Sequence, residues 1–119
     1  MNAIAAVLNQ PMGPFSIEAV DVAAPQAGEV RVAIKAAGIC HTDLVVASGA
    51  MGLQFPAILG HEGAGIVDAV GEGVTSVKPG DKVLLTFNSC GACKPCSRHE
   101  PAYCSQFVPL NMVAVRGDG

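Results

Sequence analysis

The chain of 119 residues is long enough to bury one hydrophobic core and too short for two. Half of its residues are hydrophobic, 14% are charged and the net charge is −3, which excludes a disordered segment and a nucleic-acid binder needing a clustered positive surface. With one Tyr and no Trp, it offers no platform for stacking bases either.

In chain order, the first forty residues read as strands broken by turns. Ala3–Leu8 is followed by Pro11, Gly13 and Pro14, and then by Phe15–Val22, in which Phe15, Ile17 and Ala19 alternate with Ser16 and Glu18. The opening apolar run is too short for a signal sequence and lacks a basic start. No stretch is long enough to span a bilayer, so no membrane partner is expected and the chain reads as cytoplasmic. Glu29–Ala37 alternates as a half-buried strand, with Val30, Val32, Ile34 and Ala36 on one side.

Past Gly38 the pattern changes. Residues 42–49 read as a short helix with a polar start and a glycine stop. Residues 60–77 are studded with glycine around the strand Ile66–Val70, which predicts bends, a bulge or close backbone approach. Lys78-Pro79-Gly80-Asp81 forms a turn, Lys82–Phe87 a strand, and Val108–Val115 a further strand. The expected class is mostly β, a small barrel.

Four of the five cysteines, Cys90, Cys93, Cys96 and Cys104, follow a C-x2-C-x2-C-x7-C spacing. Four thiolates converging on one point suit a closed, tetrahedral structural Zn²⁺, and a reducing compartment favours metal over disulfides. An iron–sulfur cluster is the rival, but such runs usually close with a proline after the last cysteine, where this chain has Ser105. The lobe 88–105 is scaffolding with no reactivity of its own. The fifth cysteine, Cys40, ends a strand, and His61 follows 21 residues later. Singly, each is more often a buried or hydrogen-bonded residue than a ligand. Together, with Asp43 and Glu62 beside them, they are candidates for an open metal site, which needs three protein ligands and one free position.

Gly60-His61-Glu62 with Gly65 and Val67 resembles the signature of the zinc-dependent medium-chain alcohol dehydrogenases. So do Gly38-Ile39-Cys40-His41-Thr42-Asp43, the Val77–Val83 run and the four-cysteine lobe, in the family's order and spacing across Gly38 to Cys104. The resemblance implies a GroES-like (chaperonin-10-like) barrel with a short helix and a zinc lobe, occupying residues 1–119 as a truncated N-terminal domain of a longer, homo-oligomeric parent. It implies that Cys40 and His61 are two of the three protein ligands of a catalytic zinc, with Glu62 behind the metal as an alternative ligand. Thr42 takes the first place in the proton relay, Asp43 orients His61, and His41 contacts the pyrophosphate of the cofactor, NAD or NADP. The substrate class it implies is a small-molecule alcohol or aldehyde, with an aromatic or terpenoid primary alcohol as the expectation.

Three departures qualify that expectation. Val45 stands where some members carry a histidine that completes the relay, so the proton must leave through water or the cofactor ribose. His99 falls where a glycine is common, which predicts a gentler turn before Cys104. No G-x-G-x-x-G opens a helix after a strand; Gly71-Glu72-Gly73 begins one, but Ser76 and the Lys78-Pro79-Gly80 turn end it. The nucleotide-binding domain, the third zinc ligand and the closing strands are therefore expected outside these residues. The structural zinc is expected to bind, the catalytic one weakly or not at all, and the chain alone to be inactive. The alternative from a different class is a non-catalytic GroES-like zinc-binding module for assembly; a zinc-ribbon nucleic-acid binder fits poorly, since the lobe carries only Lys94 and Arg98 against Glu100.

Overall fold

The computed structural model describes residues 1–113. Strands β1 (Asn2–Leu8) and β2 (Phe15–Asp21) form an antiparallel hairpin, and β3 (Val30–Ala37), β4 (Gly63–Val70) and β5 (Lys82–Leu84) form an antiparallel sheet in the order β3-β4-β5. Helix α1 (His41–Ala47) lies in the connection between β3 and β4, and α2 (Lys94–Ser97), a 3-10 turn (Pro101–Tyr103) and α3 (Phe107–Asn111) follow β5. The mostly β architecture expected from the sequence is the one that forms. Among the described residues, no helix is long and apolar enough to cross a membrane.

The alternating residues of β1 and β2 pair directly, Ala6 opposite Ile17 and Leu8 opposite Phe15. At the end of β1, Leu8 exchanges both backbone hydrogen bonds with Ala57, at 2.9 Å each, which pins the loop after α1 to the hairpin. Val7, Leu8, Ala57, Val67 and Cys104 are the buried apolar side chains of the described core. Burying a leucine such as Leu8 completely is worth about 2 kcal/mol. On the other sheet, Arg31 of β3 donates to Asp68 of β4 at 2.7 Å.

The strand alternation in β3 is not as clean as the sequence predicts. Its pairing with β4 shifts register between Arg31 and Val32 and again between Ile34 and Ala36. Gly65, paired with Ile34 between the two shifts, allows a close approach there: a Cβ on it would collide with the Ala33 carbonyl. The Lys78–Asp81 turn forms as expected. Asp81 accepts from the Lys78 amide at 2.9 Å and from its ammonium at 3.1 Å, and Gly80 supplies the left-handed φ of 94°.

Three expectations are corrected. The strand read over Lys82–Phe87 stops at Leu84, because its partner β4 begins at Gly63, and only Leu85 donates one more bond, 2.8 Å to the Gly63 carbonyl. The strand read over Val108–Val115 is helix α3 up to Asn111; Ala114 and Val115 lie outside the described residues. Pro109 sits in the first turn of α3, where a missing N–H costs nothing, and that placement favours the helix over a strand ladder. Finally, the turn before Cys104 is sharp after all: His99 takes a left-handed φ of 61°, a conformation costing a non-glycine residue on the order of 1 kcal/mol.

The approach of backbones also sets a testable limit. A Cβ on Gly71 would run into the carbonyl of Gln26. Gly71→Ala is expected to lower stability by on the order of 2 kcal/mol, read as a shift in the urea midpoint; an unchanged midpoint would show that the 26–28 loop moves aside freely.

Candidate metal centres and the adjoining cavity

The β3–β4 ladder itself brings Cys40 and His61 together. Its last pair is Ala37 with Gly63, and the Gly38 amide extends it by donating to the Glu62 carbonyl at 2.9 Å. Residues just beyond Ala37 and just before Gly63 must therefore emerge side by side. A side chain on Gly38 would meet the Glu62 carboxylate, so the glycine leaves that carboxylate its place in the cluster. One donor atom each from Cys40, His61 and Glu62 lies within 4.8 Å of the others.

Asp43 fixes this arrangement from behind. Its Oδ2 accepts from the Cys40 backbone amide at 2.9 Å, capping the first turn of α1, while its Oδ1 lies 3.4 Å from His61 Nδ1. That leaves His61 Nε2 facing Glu62 Oε1 at 4.0 Å. Thr42 Oγ1 is 3.6 Å from Cys40 Sγ. His41 opens α1 with an exposed side chain and is not one of the three clustered donors. Glu62 is the more exposed carboxylate, at 48%, against 15% for Asp43.

Electrostatically, Cys40 and His61 behave as a pair. The Cys40 thiol is held below its usual range, first by the Thr42 backbone amide and then by the Thr42 and His61 side chains. The His61 imidazole is raised, first by its hydrogen bond with Cys40 and further by Asp43 and Glu62, against a desolvation cost. A thiolate beside an imidazole, with two carboxylates nearby, is a soft and borderline donor set of the kind zinc takes; three such donors leave a fourth position open.

Beside this cluster is a cavity of about 230 Å³, with Thr42, Asp43 and His61 on one side and Val46, Leu53, Ile58, Leu59 and Met112 supplying apolar walls. Phe87, in the segment that follows the early end of β5, also lines it and stacks on the His61 ring at 5.6 Å and 20°. Phe107 of α3 tilts against Phe87 at 5.1 Å. The stack on His61 and the contribution of α3 are not legible in the sequence, because residues 108–111 read there as strand.

The four-cysteine lobe is a second, separate centre. Sulfur atoms of Cys90, Cys93, Cys96 and Cys104 all lie within 4.8 Å of one another, and Cys93 and Cys104 are 3.9 Å apart. A tetrahedron with metal–sulfur bonds of about 2.3 Å has edges of about 3.8 Å, so the spacing fits four-coordinate zinc. Backbone amides point at the sulfurs: Cys90 donates to Cys104 and Cys93 donates to Cys90, each at 3.3 Å, and Gln106 donates to Cys104 at 3.4 Å. Gly91, at φ 72°, lets the chain double back between the first two cysteines. In the metal-free chain, the charge is shared unequally. The Cys96 amide and then the Ser105 amide bring Cys93 down to about 6, while desolvation and neighbouring thiols push Cys96 up to about 11.

The profile of the Alcohol dehydrogenase GroES-like domain matches residues 26–119, and the chain belongs to that family. It is 48% identical over its whole length to the geraniol dehydrogenase of Castellaniella defragrans, of which it spans 32%. Among solved structures, it superposes on the benzyl alcohol dehydrogenase of Acinetobacter calcoaceticus with a TM-score of 0.96 and 40% identity, covering 100% of this chain and 33% of that one. An alcohol dehydrogenase zinc-binding domain protein from Burkholderia ambifaria gives 0.94 and 46%, over 98% of this chain and 31% of that one. The chain thus spans about a third of the length of these relatives.

Two outcomes are expected of the centres. Elemental analysis of the dialysed chain should give about one zinc, lost in Cys93→Ser and retained in Cys40→Ser; loss with Cys40→Ser alone would reverse the assignment of the tighter site. In the metal-free chain, iodoacetamide should modify Cys93 before Cys96, because the thiolate is the nucleophile and a lowered thiol is ionised above its pKa; Cys93 labelling should be half-maximal near pH 6. Equal labelling of the two at neutral pH would contradict the unequal charge.

Proposed function

We propose that the chain is the metal-holding N-terminal part of a zinc-dependent alcohol dehydrogenase that oxidises a hydrophobic primary alcohol, aromatic or terpenoid, to its aldehyde with NAD or NADP. The observation that carries this reading is the Cys40–His61–Glu62 cluster, whose histidine lines an apolar cavity, with Asp43 behind that histidine. The names of two relatives, geraniol dehydrogenase and benzyl alcohol dehydrogenase, support an alcohol with an apolar body. An assembly module would have no use for a cysteine–histidine–carboxylate cluster whose histidine lines a cavity.

When bound, zinc supplies Lewis acidity that favours loss of the alcohol proton. In this reading Cys40 and His61 hold the ion. Asp43 keeps His61 Nδ1 engaged so that Nε2 is the nitrogen presented to the metal. Glu62 offers a carboxylate from the far side. Thr42 lines the cavity and takes the hydroxyl proton of the alcohol first. With Val45, which can carry no proton, at the next relay position, that proton would leave through water or through the ribose that a bound cofactor would bring. Phe87, Leu53, Ile58 and Met112 exclude water and receive the apolar body; a bound nicotinamide would supply the hydride acceptor, so that alcohol and NAD(P)⁺ would give aldehyde, NAD(P)H and a proton. His41, exposed at the start of α1, is the residue assigned to the cofactor phosphates.

The nicotinamide site, a further zinc ligand and the subunit contacts of a homo-oligomer are assigned to parts of a longer polypeptide. The four-cysteine lobe binds structural zinc, and the five free cysteines agree with a reducing, cytoplasmic location. On its own the 119-residue chain is inactive, because hydride transfer needs a bound nicotinamide.

Purified chain supplied with zinc, benzyl alcohol or geraniol and NAD or NADP should form no NAD(P)H; measurable turnover would overturn the assigned inactivity. In the longer polypeptide, Asp43→Asn should lower kcat/KM for benzyl alcohol by about 10- to 100-fold, and Cys40→Ser should abolish turnover. Full activity of the Cys40→Ser enzyme would sink the site assignment.

A further inference from the structure

The Asn111 side chain spends all of its hydrogen-bonding donors on the backbone. Its Oδ1 accepts from the Asn88 amide at 2.7 Å, and its Nδ2 donates to the Asn88 carbonyl and to the Phe107 carbonyl, each at 2.9 Å. A carboxamide has two N–H donors, so none is left for a ligand, although Asn111 lines the cavity. What these bonds do is geometric. They tie the residue next to Phe87 to the helix that carries Phe107, and these are the two rings in contact at 5.1 Å. Phe87 in turn covers His61 at 5.6 Å.

We infer that Asn111 is a positioning residue: its carboxamide clasps residue 88 to α3, holding the Phe87–Phe107 ring pair against His61 and so fixing the cavity wall that receives an apolar alcohol. The wall is rigid because two bonds from one short side chain hold together backbone segments that are 23 residues apart, while the third, to the Phe107 carbonyl, fixes that side chain on its own helix. Without the clasp, Phe87 sits at the end of a chain that has already left β5 after Leu84, with no ladder to hold it. The alcohol in this inference rests on the proposed function; the clasp itself does not.

Fluorine NMR on the whole chain can test it. The chain has four Phe residues, so fluorophenylalanine labelling gives four lines, assignable by Phe87→Leu and Phe107→Leu. In Asn111→Ala, the Phe87 and Phe107 lines should move toward the free amino acid, and the dissociation constant for benzyl alcohol, read from the Phe87 line, should rise about tenfold. Zinc content should stay at the wild-type level, showing that the lobe is intact. Asn111→Asp keeps the size while turning a carboxylate toward two carbonyl oxygens; it should produce the same shifts, and it serves if the alanine variant fails to fold. Unmoved Phe87 and Phe107 lines in a folded, zinc-loaded variant would overturn the clasp. If benzyl alcohol leaves the wild-type Phe87 line unmoved while Asn111→Ala still shifts it, the clasp stands and the reading of the cavity as an alcohol site fails.

Discussion

One carboxylate, that of Asp43, stands at the centre of this structure's chemistry. It is shared between the backbone of Cys40 and the ring of His61. The first contact begins α1 at the right residue, because the amide it satisfies is one of the donors that the helix start leaves unpaired. The second settles which histidine nitrogen faces the open side. A single short side chain therefore sets both the direction of the cysteine and the tautomer of the histidine. The cost of burying part of a charge there is offset by one hydrogen bond from an amide and by the electrostatic approach of the imidazole.

The two centres differ in what must fold before they exist. Cys90, Cys93, Cys96 and Cys104 lie within one short stretch, so bringing their sulfurs together closes only small loops. Tight turns at Gly91 and His99 do most of that work, and amides aimed at sulfur prepare the site for negative charge. Cys40 and His61 meet only when β3 and β4 have paired in the correct register out to Ala37 and Gly63. The lobe is a local device and the other cluster is a product of the sheet. That difference matches their assigned tasks, since a scaffold can be self-contained, whereas a reacting centre must be placed against a cavity built by distant elements.

The same difference decides what could be read from the residues. The lobe was legible because spacing alone encodes a local site. Cys40 and His61 were legible only through the resemblance of the motifs around them, since nothing in a gap of 21 residues states that a ladder will close it. The strands on either side of the first turns followed from alternation and turn residues, but which strand pairs with which did not. Residues 108–111 misled, because they open the valine-rich run 108–115, and such a run with a proline near its start reads equally as an edge strand and as the first turn of a helix. The contacts of Asn111 with Asn88 were hidden with it, since side-chain-to-backbone bonds between distant segments leave no periodic trace.

The contact between Asn88 and Asn111 also brackets the whole cysteine lobe, which leaves the domain at one of these residues and returns at the other. A segment closed at its base in this way can open as a unit, with its amides exchanging hydrogen with solvent, without pulling the β3–β4–β5 sheet apart. Metal loss from the lobe is then a local event, and its reversal starts from a loop whose ends are already in place. The entropic cost of rebuilding the lobe is limited to ordering the residues inside the bracket, which makes the lobe a cooperative unit with a stability of its own, set by the free metal concentration around it.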